Sequence, residues 1–258
     1  MKRVAIVMPA YNEERRIGKT LEIYSKYFEE LRKKKEAEYE ILVIINNTSD
    51  RTEEIVKKYC EENSRINYLN LKRGGKGYAV IEGFKDSLKR KNDYIGFVDS
   101  DMATPPEAFF YLVKMIKNYD GVIAGRYMKG SKIIPPPTIQ RRTASRVYNL
   151  FIRSLFFFPY RDTQCGAKLF KREPLKDVIR FIGMTKWAFD IDLIYGFRKR
   201  GYKIKEVSTT WSNKEYSKIN FARAGPWMAL AVVRLRILNS PLKRFIIIYD
   251  NFIGFVPK

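Results

Sequence analysis

Five apolar runs, each followed by a segment of helical patterning, constrain this chain more than any other feature. "RVAIVMP" near the start, "YEILVII" (39–45), "INYLNL" (66–71), "YIGFV" (94–98) and "GVIAGRYM" (121–128) read as strands. After the first, Ile17, Leu21, Tyr24, Phe28 and Leu31 recur at helical spacing through a charged segment. Asp50 is placed to cap the next helix, with Glu53 three residues on as in a capping box. "GGKG" opens a helix through about Leu88, and Pro105-Pro106-Glu107 begins another with proline in its first turn. Strands alternating with helices predict an α/β fold around a right-handed, mostly parallel sheet.

Beyond Met128 the rhythm changes. A proline-rich loop, "KGSKIIPPPT", precedes a helix from about Ile139 that carries Arg141, Arg142, Arg146 and Arg153. "DTQCGAKLFKR" (162–172) suggests a turn and strand, "WAFDIDLIYGFRKR" (187–200) a helix, and "IKEVSTTW" a further strand. The last ~35 residues mix apolar side chains with only basic charges until Asp250, a composition suited to an anionic interface. The same pattern also suits an amphipathic helix packed on the domain. The expected organisation is a catalytic domain over residues 1–222 and a basic amphipathic appendage over 223–258.

Composition narrows the chemistry. Histidine is absent from the 258 residues, so no Ser-His-Asp or Cys-His nucleophile system and no His-ligated metal can be built. Cys60 and Cys165 lie in unrelated contexts, without the spacing of a thiolate metal site, and a reduced cytoplasmic compartment is expected. Lys2 and Arg3 are followed by too short an apolar run for a signal peptide, and no stretch reaches the ~20 apolar residues of a membrane span. The net charge of +22 calls for an anionic partner, unless it reports only a solvated lysine-rich surface. Its basic residues are spread along the chain without a recognised nucleic-acid motif, so no nucleic-acid partner is expected.

In an open α/β sheet, ligands sit beyond the carboxyl ends of the strands. Those ends deliver "PAYNEE", "NNTSDRT", "KRGGKG", "DSDMATP" and "GRYMKG". Asp99 and Asp101 could hold a hard divalent cation through carboxylate oxygens, with substrate phosphates completing its shell. Alone, such a D-x-D is a weak signal that a helix cap and a turn aspartate would also produce. Backbone N–H groups of "GGKG" can approach a phosphate, and Lys76 adds charge, although the spacing is not that of a Walker loop. Asn46 and Ser100 occupy the corresponding places after the second and fourth strands.

The series "VMPAYNEE", "NNTSDRT", "GGKGYAVIEG", "VDSDMATP" and "AGRY" resembles the nucleotide-sugar half of a GT-A (Rossmann-like) glycosyltransferase of family 2. "RRTAS", "DTQCGAKLFKR", "WAFDIDLIY" and "W…SK" resemble its polyprenyl-phosphate branch, closest to the dolichyl-phosphate glucose synthases. This resemblance covers about residues 3–220. It implies that Pro9, Tyr11 and Glu13 contact the nucleoside, with Lys76 and Gly77 beside it and Asp99 and Asp101 on ribose and metal, Mg²⁺ or Mn²⁺. It further implies Arg126, Arg141 and Ser145 at the acceptor phosphate, Asp162 and Gln164 on the acceptor side, and Ser217 and Lys218 on the pyrophosphate. Two departures stand out. Ile45 and Asn46 replace a frequent pair of aspartates, which leaves base recognition open. Ala103 stands where the mannose enzymes often place a metal-binding glutamine, which favours glucose over mannose.

The implied reaction moves a hexose from a nucleotide-sugar, UDP-glucose favoured over GDP-mannose, to a polyprenyl or dolichyl phosphate. The enzyme would lie peripherally on an anionic membrane surface. A phosphate oxygen is already anionic and can attack the anomeric carbon in line without a side-chain base, which inverts that centre. A hydroxyl acceptor would instead require a carboxylate base, with Asp162 or Asp190 as candidates.

Overall fold

The computed structural model describes residues 1–183, 187–212 and 221–253. Its first half follows the alternation of the sequence: β1 (Arg3–Ala10), α1 (Ile17–Lys33), β2 (Glu38–Asn46), α2 (Thr52–Glu62), β3 (Ile66–Leu71), α3 (Lys76–Lys89), β4 (Tyr94–Val98), α4 (Pro106–Met115) and β5 (Gly121–Gly125). The second half contains β6 (Lys132–Ile134), α5 (Ile139–Phe156), β7 (Ala167–Lys171), α6 (Arg172–Ile179), α7 (Phe189–Lys199), β8 (Ile204–Ser208) and β9 (Thr210–Ser212). Last come α8 (Phe221–Leu238), a 3₁₀ turn (Pro241–Phe245) and α9 (Ile246–Phe252).

Seven strands form one sheet in the order β3-β2-β1-β4-β7-β5-β8. All neighbours are parallel except β7, which runs antiparallel to both β4 and β5. The chain turns back at β1, with β2 on one side and β4 on the other, and a crevice opens beyond their carboxyl ends. β6 and β9 make a separate two-stranded parallel ribbon.

Because the sheet is covered on both faces, its strands β1, β2, β4 and β5 are mostly apolar, and alternate residues serve different cores. Val4, Ile6, Met8 and Ala10 of β1 pack with Leu21, Tyr24 and Phe28 of α1 and with Phe109 and Leu112 of α4. Ala5 and Val7 face the opposite layer, with Val80 and Phe84 of α3, Val178 of α6 and Phe197 of α7. A third cluster joins Ile152 and Phe156 of α5, Ile191 and Ile194 of α7, and Ala231, Val232 and Leu235 of α8. α8 is therefore packed through one side, and Arg234 on it pairs with Asp250 at 2.7 Å. Beyond it, Leu242, Phe245, Ile247 and Ile248 are exposed. Among the described residues, no helix is long and apolar enough to cross a membrane.

Three local expectations change. Asp50 binds the backbone N–H of Thr52 at 3.0 Å and that of Glu14 at 3.1 Å, tying the β1–α1 loop to α2. Glu53 does not close a capping box, because it turns instead to Asn70 and Lys57. The fifth strand stops at Gly125, where Arg126 is drawn into the cleft by its ion partner. "IKEVSTTW" divides between β8 and β9, so Trp211 leaves the main sheet.

Gly96 sits where β4 meets β7. A Cβ there would approach the Lys168 carbonyl oxygen to 2.5 Å and the Leu169 and Phe109 side chains to within 3 Å. Backbone cannot yield as a flexible side chain can. Gly96→Ala is therefore expected to lower unfolding stability by about 1–3 kcal/mol, seen as a lower urea midpoint.

Candidate active site

A cleft of about 900 Å³ lies at the carboxyl ends of β1, β2 and β4. Pro9, Tyr11, Glu13, Asn46, Lys76, Asp99, Ser100 and Asp101 line one part of it, and Arg126, Arg141, Ser145 and Gln164 line another. Residues more than a hundred positions apart thus share one cavity.

The turn after β4 is braced from α1. Thr20 donates to the Ser100 carbonyl at 2.8 Å, and Tyr24 donates to the Thr104 carbonyl at 2.7 Å. Ser100 donates to the Pro9 carbonyl at 2.9 Å, so the side chain expected at the nucleotide also joins the ends of β1 and β4. Asp101 accepts from the Ala103 N–H at 2.9 Å, while its other oxygen lies 3.9 Å from Arg16. Arg16 in turn grips Glu13 through two hydrogen bonds of 2.6 Å. Asp99 pairs with Lys76 at 2.5 Å. Burial pushes the Asp99 carboxyl up; the Lys76 ammonium opposes that shift and the Asp101 charge adds to it. Lys76 is held above its usual range because the charges of Asp99, Asp190 and Asp101 outweigh its desolvation.

The donor set is oxygen-rich. Cys165 is buried and its thiol is pushed up to about 12 by desolvation, and the chain has no histidine. Among the described residues, no three acidic or thiol side chains form a ready-made cage. Asp101 with Asp99 therefore fits a hard cation that keeps waters and shares a diphosphate, as Mg²⁺ and Mn²⁺ do. Gly166 makes room for this pair, since a Cβ there would collide with the Asp99 carboxylate.

On the other side, Arg126 holds Asp162 in a fork of 2.6 and 3.0 Å and faces the Trp211 ring at 5.2 Å. Tyr127 donates to the Ser145 hydroxyl at 2.7 Å. Two of the expected site residues do not line the cleft. Gly77 is buried in the first turn of α3. Asp162 is fully buried, its carboxylate taken up by Arg126 and by the Gln164 and Arg126 N–H groups. Burial alone would raise the Asp162 carboxyl, but the Arg126 charge and these hydrogen bonds hold it below the ordinary range. Ser217 and Lys218 lie outside the described residues.

The cleft also contains Arg16, Tyr127, Tyr148, Trp187, Trp211 and Met228, which motif reading had not placed there. Arg16 had a usable signal, being three residues after Glu13 at the opening of α1. Trp187 and Trp211 stand in the strings "WAFDIDLIY" and "W…SK" that carry the family resemblance, whereas Met228 had no signal, since only the folding of the chain brings it near.

Asp162→Asn should cost about 3 kcal/mol at neutral pH, the lower end for a broken buried pair because Arg126 reaches the cleft. A depressed folded-state pKa supplies stability that is complete above the unfolded value and is lost as the pH falls through the folded one. Wild type and variant should therefore converge on acidification, as followed by denaturant unfolding between neutral and acid pH.

Comparison with known proteins agrees with this arrangement. The model for Glycosyl transferase family 2 matches residues 5–179. The dolichyl-phosphate beta-glucosyltransferase of Dictyostelium discoideum is 31% identical over 243 residues, covering 90% of this chain and 73% of that protein. The human dolichyl-phosphate beta-glucosyltransferase is 28% identical over 254 residues, covering 93% and 77%. Among solved structures, glucosyl-3-phosphoglycerate synthase from Mycobacterium tuberculosis, in complex with Mn²⁺, UDP and glucosyl-3-phosphoglycerate, superimposes with a TM-score of 0.67. It shares 17% identity over 92% of this chain and 79% of its own, a likeness of fold, here GT-A. Mannosyl-3-phosphoglycerate synthase from Rubrobacter xylanophilus gives 0.65 at 16% identity, over 100% and 76%. With more than half of its length matched and the family's strand-end groups gathered in one cleft, the chain belongs to glycosyl transferase family 2.

Proposed function

We propose that this enzyme transfers glucose from UDP-glucose to a polyprenyl phosphate of the dolichyl type, with inversion at the anomeric carbon. The observation that carries the choice of acceptor is the state of the two candidate bases. Asp162 is consumed by Arg126, and one oxygen of Asp190 is tied to the Lys168 ammonium at 2.5 Å. A hydroxyl acceptor needs a carboxylate ready to take its proton, whereas a phosphate oxygen needs none. The relatives named dolichyl-phosphate beta-glucosyltransferase support both the glucose and the lipid phosphate.

Asp101 and Asp99 would hold Mg²⁺ or Mn²⁺, which when bound would neutralise charge developing on the departing diphosphate. Pro9, Tyr11 and Glu13 border the nucleoside side of the cleft, and Lys76 adds positive charge beside Asp99. Arg126 and Arg141 attract the acceptor phosphate, with Ser145 as a neutral partner, and hold its oxygen for in-line attack. Ser217 and Lys218 are assigned to the pyrophosphate by their resemblance to the family loop. A lipid acceptor also gives a purpose to the exposed Leu242, Phe245, Ile247 and Ile248 beside Lys243 and Arg244: docking on an anionic bilayer surface.

Labelled UDP-glucose, polyprenyl phosphate and Mn²⁺ should yield label extractable into organic solvent. That yield should disappear with chelator or with Asp101→Asn, and Arg141→Ala should raise the KM for acceptor about tenfold while leaving that for donor within about twofold. No extractable label from UDP-glucose or GDP-mannose would refute the reading. In a separate flotation assay, replacing Leu242, Phe245, Ile247 and Ile248 together with serine should release the protein from anionic liposomes; unchanged flotation would remove the docking role.

A further inference from the structure

Lys168 is wholly buried on β7, with Phe97 and Ile123 as its register partners on the flanking strands. Such a position would ordinarily hold an aliphatic side chain. Its ammonium donates to the Asp190 carboxylate at 2.5 Å and to the Cys165 carbonyl at 2.7 Å, and lies 5.1 Å from the Phe97 ring centre. A buried ion pair is a poor source of stability compared with well-packed hydrocarbon. What this one achieves is placement. Asp190 sits in the first turn of α7, where the helix dipole also favours a carboxylate, and it lines the cleft. One oxygen is fixed by Lys168; among the described residues, the other makes no hydrogen bond.

The neighbours indicate what that second oxygen meets. Trp187 and Tyr148 line the same cleft, and the side-chain amide nitrogen of Gln164 and the hydroxyl of Tyr148 are sealed from solvent without a hydrogen-bond partner. A fixed carboxylate repels a diphosphate and a phosphate acceptor alike. It suits an uncharged ring of hydroxyl donors, which the hexose supplies with ribose assigned to the Asp99 side, and an indole face suits that ring's carbon side. We propose that Asp190, positioned by Lys168, accepts hydrogen bonds from hydroxyl groups of the donor's hexose with Trp187 against its carbon face. This pair, and not the phosphate-binding groups, then decides which sugar is accepted. Asp190 is here a specificity residue and Lys168 a positioning residue. The inference rests on the nucleotide-sugar reading above.

Binding, measured by calorimetry with Mn²⁺ present, separates the two parts of the donor. Wild type should bind both UDP and UDP-glucose. Asp190→Asn should keep the affinity for UDP within about twofold and lose about tenfold for UDP-glucose, narrowing the preference over UDP-galactose by a similar factor. Because Asp190→Asn strands a buried ammonium, the charge-free pair Asp190→Asn with Lys168→Met should be tested beside it. That double variant should recover the melting temperature without recovering UDP-glucose affinity. Equal losses for UDP and UDP-glucose, or unchanged affinity for both, would overturn the inference while leaving the donor reading intact. A wild type that binds neither would overturn both. If Asp190 instead served as a base, UDP-glucose affinity would survive the substitution and only turnover would fall.

Discussion

Everything polar in the cleft depends on one strand that runs against the others. β7 is inserted antiparallel between β4 and β5, pairs with both, and approaches β4 closely enough to require Gly96. Its leading turn delivers Asp162, Gln164 and Gly166 to the carboxyl ends of β4 and β5, where Asp99 donates its N–H to the Gly166 carbonyl at 3.1 Å. Without this reversal, the segment that starts a strand would emerge at the far end of the sheet. The Asp162–Arg126 fork and the Lys168–Asp190 pair both hang from it.

Those two ion pairs explain how a chain without histidine organises reactive charge. Each carboxylate that could act as a base is held by a cation, and each cation is thereby aimed or neutralised. Arg126 is further constrained by Trp211, while Glu206 on β8 accepts the backbone N–H groups of Arg161 and Asp162 at 2.7 and 2.8 Å. Asn149 on α5 accepts from the Thr163 N–H at 3.1 Å, so the helix carrying Arg141 and Ser145 is tied to the same turn. The side of the cleft that carries Arg126, Arg141 and Ser145 is thus one connected frame, whereas the other side rests on α1 bracing the Asp99–Asp101 turn.

Much of this was legible in the chain. The apolar runs of β1 and β2 are long because both faces of those strands are buried, and such runs are hard to mistake. The places of Asp99, Asp101 and Lys76 followed from the rule that strand ends meet a ligand, together with the family resemblance. Gly77 and Asp162 were read as ligand residues from motif membership alone. A motif marks a neighbourhood, but it does not say whether a side chain faces a ligand or supports one that does. Glu53 illustrates the same limit, since the capping spacing was present but Asn70 and Lys57 offered stronger partners.

By itself, the sequence determined the α/β alternation, the absence of any histidine chemistry and the set of groups arriving at the strand ends. These are properties of period and composition, which act locally along the chain. Only the tertiary structure decided that β7 is antiparallel and that Lys168 is buried against Asp190. It likewise decided that Met228 of α8 enters the cleft. Such features depend on which distant surfaces exclude water together, and no local pattern of residues encodes that.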